Sequence, residues 1–271
     1  MSDTLSTLNW LVEAGADEAV AEEPVNRLTA KSAVQPLQAP PPASVPRPMA
    51  PARAPAPVVE GDAIGGAMAA AASAMSLAEL QAALEAFDGC ALKRTATNTV
   101  FADGVASGRI LLIGEAPGRD EDRVGKPFVG RAGHLLDKML ASIGLDRRTN
   151  AYITNVINWR PPDNRDPTPE EAAACLPFLR RHIELADPEI IILLGAVAAR
   201  HVVGISDGIM KLRGRWLEYR VGMRMVPLMP TLHPAYLLRQ PAHKKLAWRD
   251  LQAVRDKMQA LGLPAAATQS N

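Results

Sequence analysis

Ile110-Leu111-Leu112-Ile113-Gly114-Glu115-Ala116-Pro117-Gly118, followed closely by Glu121, Asp122 and Lys126-Pro127-Phe128-Val129-Gly130, is the stretch on which the fold reading turns. Four apolar residues bounded by Gly and Pro read as a short buried strand, and the loop at its end displays carboxylates and an aromatic ring. A Gly-rich turn after a strand first suggests a phosphate cradle. The pattern GxGxxG is absent, however, and Pro117 removes one backbone N–H such a cradle would use. A P-loop ending at Gly125-Lys126 would need glycine at Asp120 and Ser or Thr after Lys126. Asp120, Glu121 and Asp122 would also repel a triphosphate, so the chemistry here tolerates or uses carboxylates.

Working outward, Leu77 to Phe87 has helical periodicity, and Arg131 to Ile143 places Leu135, Leu136, Met139 and Leu140 on one face before Gly144 stops it. Ala151 to Ile157 reads as a strand. Thr168-Pro169-Glu170-Glu171 has the form of a capping box with Pro at the first helical position, predicting a helix to about Ala186. Glu189 to Leu194 is another buried strand, and Gly195 opens a helix ending near Val203. Strands follow at Trp216 to Arg220 and Arg224 to Leu228, then a last helix from about His243 to Leu261. This alternation predicts an α/β fold, a three-layer α/β/α sandwich with a mainly parallel central sheet and its active loops at the strand C-terminal ends.

Composition divides the chain. Residues 36 to 57 hold nine prolines among Ala, Val and Arg, which predicts a disordered, partly polyproline-II linker. Ahead of it Leu5, Leu8, Trp10, Leu11 and Val12 suggest a short amphipathic helix, marginal alone. The expected layout is an N-terminal arm over residues 1–75, one folded domain over 76–264 and a disordered tail over 265–271. The arm carries four Lys/Arg and eight Asp/Glu, leaving 26 basic against 21 acidic residues elsewhere, so the domain is about +5 and the arm acidic. That balance permits a polyanion-binding face without demanding one. Nothing resembles a signal peptide or a membrane span, and two cysteines suit a reduced compartment, so a cytoplasmic protein is expected, with a monomer as the simplest state.

A second compact cluster stands at Thr231-Leu232-His233-Pro234-Ala235-Tyr236-Leu237-Leu238-Arg239. Read together, GEAPG, GKPFVG, YITNVINWRPPDNR and HPAYLLR resemble the family 4 uracil-DNA glycosylases of the uracil-DNA glycosylase superfamily, over roughly Cys90 to Met258. The resemblance implies a monofunctional hydrolase that flips uracil out of single- or double-stranded DNA and cleaves its N-glycosidic bond in base-excision repair. A glycosylase for another deaminated base, or an inactive DNA-binding relative, are the alternatives.

The residues themselves suit such work. An enzyme acting on a base must extrude it, hold it by stacking and read its Watson-Crick edge. Phe128 is a stacking platform, and Asn155, at a strand end, offers the acceptor and donor that match uracil N3–H and O4. Cytosine presents the opposite pair. His233, from a Pro-fixed loop, can donate to uracil O2 as charge develops. Glu115 or Glu121 can position the attacking water, directly or by organising the loop, with Glu115 slightly favoured. Gly114 and Ala116 line the base. The superfamily's best-known branch has aspartate and tyrosine at the positions of Ala116 and Gly118. Leu237, Leu238 and Arg239 resemble a wedge that fills the vacated stack, and Arg160, Arg165, Arg213, Lys244 and Lys245 are candidate phosphate contacts.

The family usually holds a 4Fe–4S cluster on four cysteines. Here Cys90 and Cys175 match the second and fourth ligand positions, while Phe87 and Trp159 occupy the first and third. The expectation is therefore no cofactor and no metal, with Phe87 and Trp159 packed on each other and the two cysteines close together, a disulfide being disfavoured inside a cell. Gly130-Arg131-Ala132-Gly133-His134 lacks the basic insertion of the covalent-trapping branch, so ordinary turnover is expected, with His134 on a helix surface. The acidic arm suggests a tether to a repair partner.

Overall fold

The computed structural model describes residues 60–205 and 207–264; the expected N-terminal helix, the Pro-rich linker and the 265–271 tail lie outside them. The described residues all fall within one compact unit. Helices α1 (Glu60–Ser73) and α2 (Leu77–Ala86) lead into β1 (Ala102–Gly104), β2 (Ile110–Gly114), α3 (Arg119–Val124) and α4 (Arg131–Ala141). Then come β3 (Ala151–Asn155), α5 (Pro169–Ala186), β4 (Ile190–Leu194), α6 (Ala196–Val203) and α7 (Ile209–Leu212). The chain closes with β5 (Leu217–Val221), β6 (Arg224–Thr231), α8 (Pro234–Arg239) and α9 (Lys244–Ala260).

The sheet order is β1-β3-β2-β4-β6-β5, with parallel pairing in the centre and antiparallel strands at both edges. Helices cover both faces. β2, β3 and β4 are buried along their whole length, as strands sandwiched between helical layers must be. Alternate residues feed two cores: Leu111, Ile113, Ile191 and Leu193 with Phe178 on one side, and Ile110, Leu112, Ile190 and Ile192 with Leu136, Leu140 and Val254 on the other. The β2–β3 register ends with Gly114 opposite Asn155, and β4–β6 with Leu194 opposite Thr231, so the site-bearing residues share one edge of the sheet.

Two elements depart from the sequence reading. The folded domain begins before residue 76: α1 packs on α5 and buries Ala67 and Ala71, with Ala74 just beyond it. Its Ala/Gly composition lacks an amphipathic stripe and reads as a continuation of the arm, yet small side chains are what let two helices approach closely. β6 runs past Leu228 to Thr231 although Pro227 and Pro230 sit in it. Pro227 falls where β6 pairs with β5 alone and Pro230 where it pairs with β4 alone, so each missing N–H faces an open side. No helix among the described residues is long and apolar enough to cross a membrane.

Candidate active site

The end of β2 is built for close approach. A Cβ added to Gly114 would stand 2.3 Å from Asn155 Oδ1 and 2.6 Å from two ring carbons of Phe128, so only glycine fits where these side chains converge. Asn155 is 2% exposed, and its Oδ1 is the one buried side-chain oxygen or nitrogen among the described residues without a hydrogen-bond partner. Leaving such an acceptor unmatched costs about 1–3 kcal/mol, which a folded chain tolerates where a ligand supplies the missing donor.

Phe128 is buried with a φ of +54°, a left-handed conformation unusual for a bulky residue. Opposite charges hold it there. Glu121 accepts the N–H groups of Gly118, Val129 and Gly130 at 3.1, 3.0 and 2.9 Å. From the other side Arg147, itself paired with Asp103 and Asp137, donates to the carbonyls of Pro127 and Phe128 at 3.0 and 2.9 Å. Gly133 closes the packing, since a Cβ there would sit 1.9 Å from the Phe128 oxygen.

This geometry separates the two candidate carboxylates. Glu121 spends both oxygens on the loop backbone and acts as its organiser. Glu115, half-buried, makes no side-chain hydrogen bond among the described residues; burial raises its pKa, the nearby Asp166 adds to that, and Arg200 opposes it. Glu115 is thus the carboxylate with free acceptors. Ala116 packs against the core cluster on the sheet face opposite Phe128. Asp122, 5% exposed, accepts from the backbone of Thr97 and Asn98 and anchors α3.

His233 precedes α8, and its ring centroid lies 5.6 Å from that of Phe128. Nδ1 accepts the Ala235 N–H at 3.1 Å, which in the neutral ring puts the proton on Nε2. Burial, with a smaller contribution from Arg239, lowers its pKa to about 4, so the imidazole is a neutral donor at pH 7. Gly195, at φ +97°, backs it: a Cβ there would meet His233 Cβ at 3.0 Å.

The DNA-facing candidates fare unequally. Leu237 is 1% exposed and packs with Leu232 and Ala247, so it is a core anchor and not part of a wedge. Leu238, 37% exposed, and exposed Arg239 remain available. Arg165 forks onto both oxygens of Glu171 at 2.6 and 2.9 Å, and Arg213 is committed to buried Asp250, which removes both from the free cations. Arg160 donates to the Asn164 side chain at 2.8 Å, while Lys244 and Lys245 are exposed, as is His134.

The residues present do not fit a four-iron cluster, which needs four ligands. Cys90 and Cys175 are buried free thiols in the same core cluster, and no group of three or more His, Cys, Asp or Glu among the described residues could hold a metal. The ring of Phe87 pairs with that of Phe178 at 5.1 Å, against the same core that holds Trp159. Trp159 is 1% exposed in the same core and donates its Nε1–H to Thr99 at 3.0 Å. Sequence reasoning missed Arg147, Gly133 and Arg200; each looks like an ordinary loop or helix residue until the chain is folded.

The uracil-DNA glycosylase superfamily model matches residues 101–252. The Type-4 uracil-DNA glycosylase of Thermotoga maritima is 42% identical over 169 residues, covering 61% of this chain and 86% of its own. That of Archaeoglobus fulgidus is 46% identical over 156 residues, covering 56% and 78%. The Type-5 uracil-DNA glycosylase of Pyrobaculum aerophilum is 32% identical over 116 residues, covering 38% and 51%. With both sheet edges and the strand-end loops inside the matched span, this chain belongs to the uracil-DNA glycosylase superfamily.

Proposed function

We propose that this protein is a monofunctional uracil-DNA glycosylase that excises uracil from DNA in base-excision repair. The observation that carries the reading is the unpartnered, buried Oδ1 of Asn155 beside Gly114 and Phe128. A flipped uracil supplies the N3–H that this oxygen lacks, and the Asn155 amide donates to O4. Phe128 stacks on the ring. As the base-sugar bond breaks, negative charge grows on the departing uracil, and the Nε2–H of neutral His233 stabilises it at O2. Glu115 orients a water toward the cation-like sugar carbon and takes up its proton. Glu121 acts one step back, by fixing the loop. Leu238 fills the vacated stack, and Arg239, Arg160, Lys244 and Lys245 meet phosphates.

In this reading the protein works as a monomer without a metal cluster. The donor set of two thiols supports that, and the aromatic residues of the core fill space that ligands would otherwise line. The substrate places it with the chromosomal DNA. The test is a single-turnover assay on oligonucleotides containing uracil, hypoxanthine or thymine, with Asn155→Ala and His233→Ala as controls. Abasic product from uracil, formed about 10²–10³-fold more slowly by both variants, is the expected result. DNA binding with no abasic product from any base refutes the enzyme reading, and stoichiometric iron in the purified protein refutes cluster-free operation.

A further inference from the structure

Asp250, on α9, is 1% exposed and takes no part in the chemistry above. Its carboxylate accepts the Thr231 hydroxyl at 2.7 Å and the Arg213 Nε at 3.0 Å, with a second guanidinium contact to the other oxygen. Arg213 also donates to the Leu246 carbonyl at 2.6 Å. Gly214 donates to the Pro230 carbonyl at 3.1 Å, and a Cβ on it would lie 2.6 Å from Asp250 Oδ1, so the backbone is drawn tight against the carboxylate. From the opposite side the Gly195 N–H donates to the Thr231 carbonyl at 2.9 Å. The end of β6 is therefore held from α9 through its side chain and from the β4–α6 turn through its backbone.

Stability alone does not call for this arrangement. Burying a carboxylate is costly, and apolar residues of similar volume commonly replace a buried ion pair without loss. What the pair provides is a fixed position for Thr231, two residues before His233. We infer that Asp250, anchored by Arg213 and acting through Thr231, is a positioning residue for His233 that sets where the imidazole N–H meets the base. This rests on the uracil-excision reading above.

The test is a thermodynamic cycle on single-turnover excision. Thr231→Val keeps the side-chain shape and removes the hydroxyl; its rate is expected to fall about 10- to 100-fold, as a displacement of about 1 Å in a reacting group can produce, with the Kd for uracil-containing DNA changed less than about twofold. Thr231→Ser is expected to recover most of that loss. In a His233→Ala background Thr231→Val should cost less than about a further twofold, because its effect passes through the imidazole. Asp250→Asn, read in the same cycle, provides a second variant should the valine protein fail to fold. A wild-type rate in Thr231→Val, or a full additional loss in the double variant, overturns the positioning role alone. Absence of excision by the wild type sinks the glycosylase reading and this role with it.

Discussion

Asn155→Ala has opposite expected effects on stability and activity. In a typical core an amide is hydrogen-bonded, and truncating it strands its partner at a cost of about 1–3 kcal/mol. Here the Oδ1 has no partner to strand, and removing it relieves a penalty of the same size. Against that stands the lost packing of a few atoms on Gly114 and Phe128, about 1 kcal/mol. The net is expected to lie between no change and about 2 kcal/mol of stabilisation, a rise in Tm of up to about 4–8 °C for a domain of this size. Excision should fall roughly 10²–10³-fold, as when a preorganised polar group is removed from a reacting centre. The assay pairs thermal unfolding with single-turnover kinetics on one uracil-containing oligonucleotide. A Tm lowered by the equivalent of more than about 1 kcal/mol would show that the oxygen has a partner in solution, and the reasoning from an unmatched acceptor fails whatever the rate does.

Three further outcomes follow from the geometry. Leu237→Ala should destabilise by about 2–5 kcal/mol, whereas Leu238→Ala should leave unfolding within about 0.5 kcal/mol and slow excision from duplex DNA; equal unfolding curves for the two variants would contradict their different burial. Because burial raises the Glu115 pKa while His233 stays neutral down to about pH 4, the acid limb of the excision rate should belong to Glu115, lie above pH 4.5, and move lower in Asp166→Asn and higher in Arg200→Ala; a limb unmoved by both excludes Glu115 as its source. His182, buried against Phe101 and Tyr152 with a pKa near 3, excludes a proton that the unfolded chain accepts near pH 6.5. Stability is therefore full above pH 6.5 and falls toward pH 3, by about 3 kcal/mol at pH 4, and His182→Phe should flatten that dependence in urea unfolding.

The parallel centre of the sheet was legible because Ile110 to Ile113 and Ile190 to Leu194 are unbroken apolar runs, and α5 because Thr168 and Glu171 form the capping box its sequence announces. Asn155, Phe128 and His233 were singled out together from their motifs, and the fold brings these three side chains close to one another from segments the sequence separates. Less accessible were properties that depend on what a side chain touches. Leu237 and Leu238 are neighbours of equal hydrophobicity, and only the helical turn after Pro234 sends one inward and the other out. Glu115 and Glu121 are equally acidic, yet Glu121 meets three amides. Arg147 carries no local pattern, because its partners Asp103, Pro127, Phe128 and Asp137 all come from other segments.

The turn at Phe128, gripped by a carboxylate on its amides and a guanidinium on its carbonyls, bears on the entropy of recognition. Ordering a backbone residue costs about 1–2 kcal/mol, and for this platform the cost is met once, in folding, and does not recur with each encounter. In the proposed reading, an incoming base lands on a surface already at its final angle. The affinity left over can go into unstacking DNA, which is where a scanning enzyme needs it.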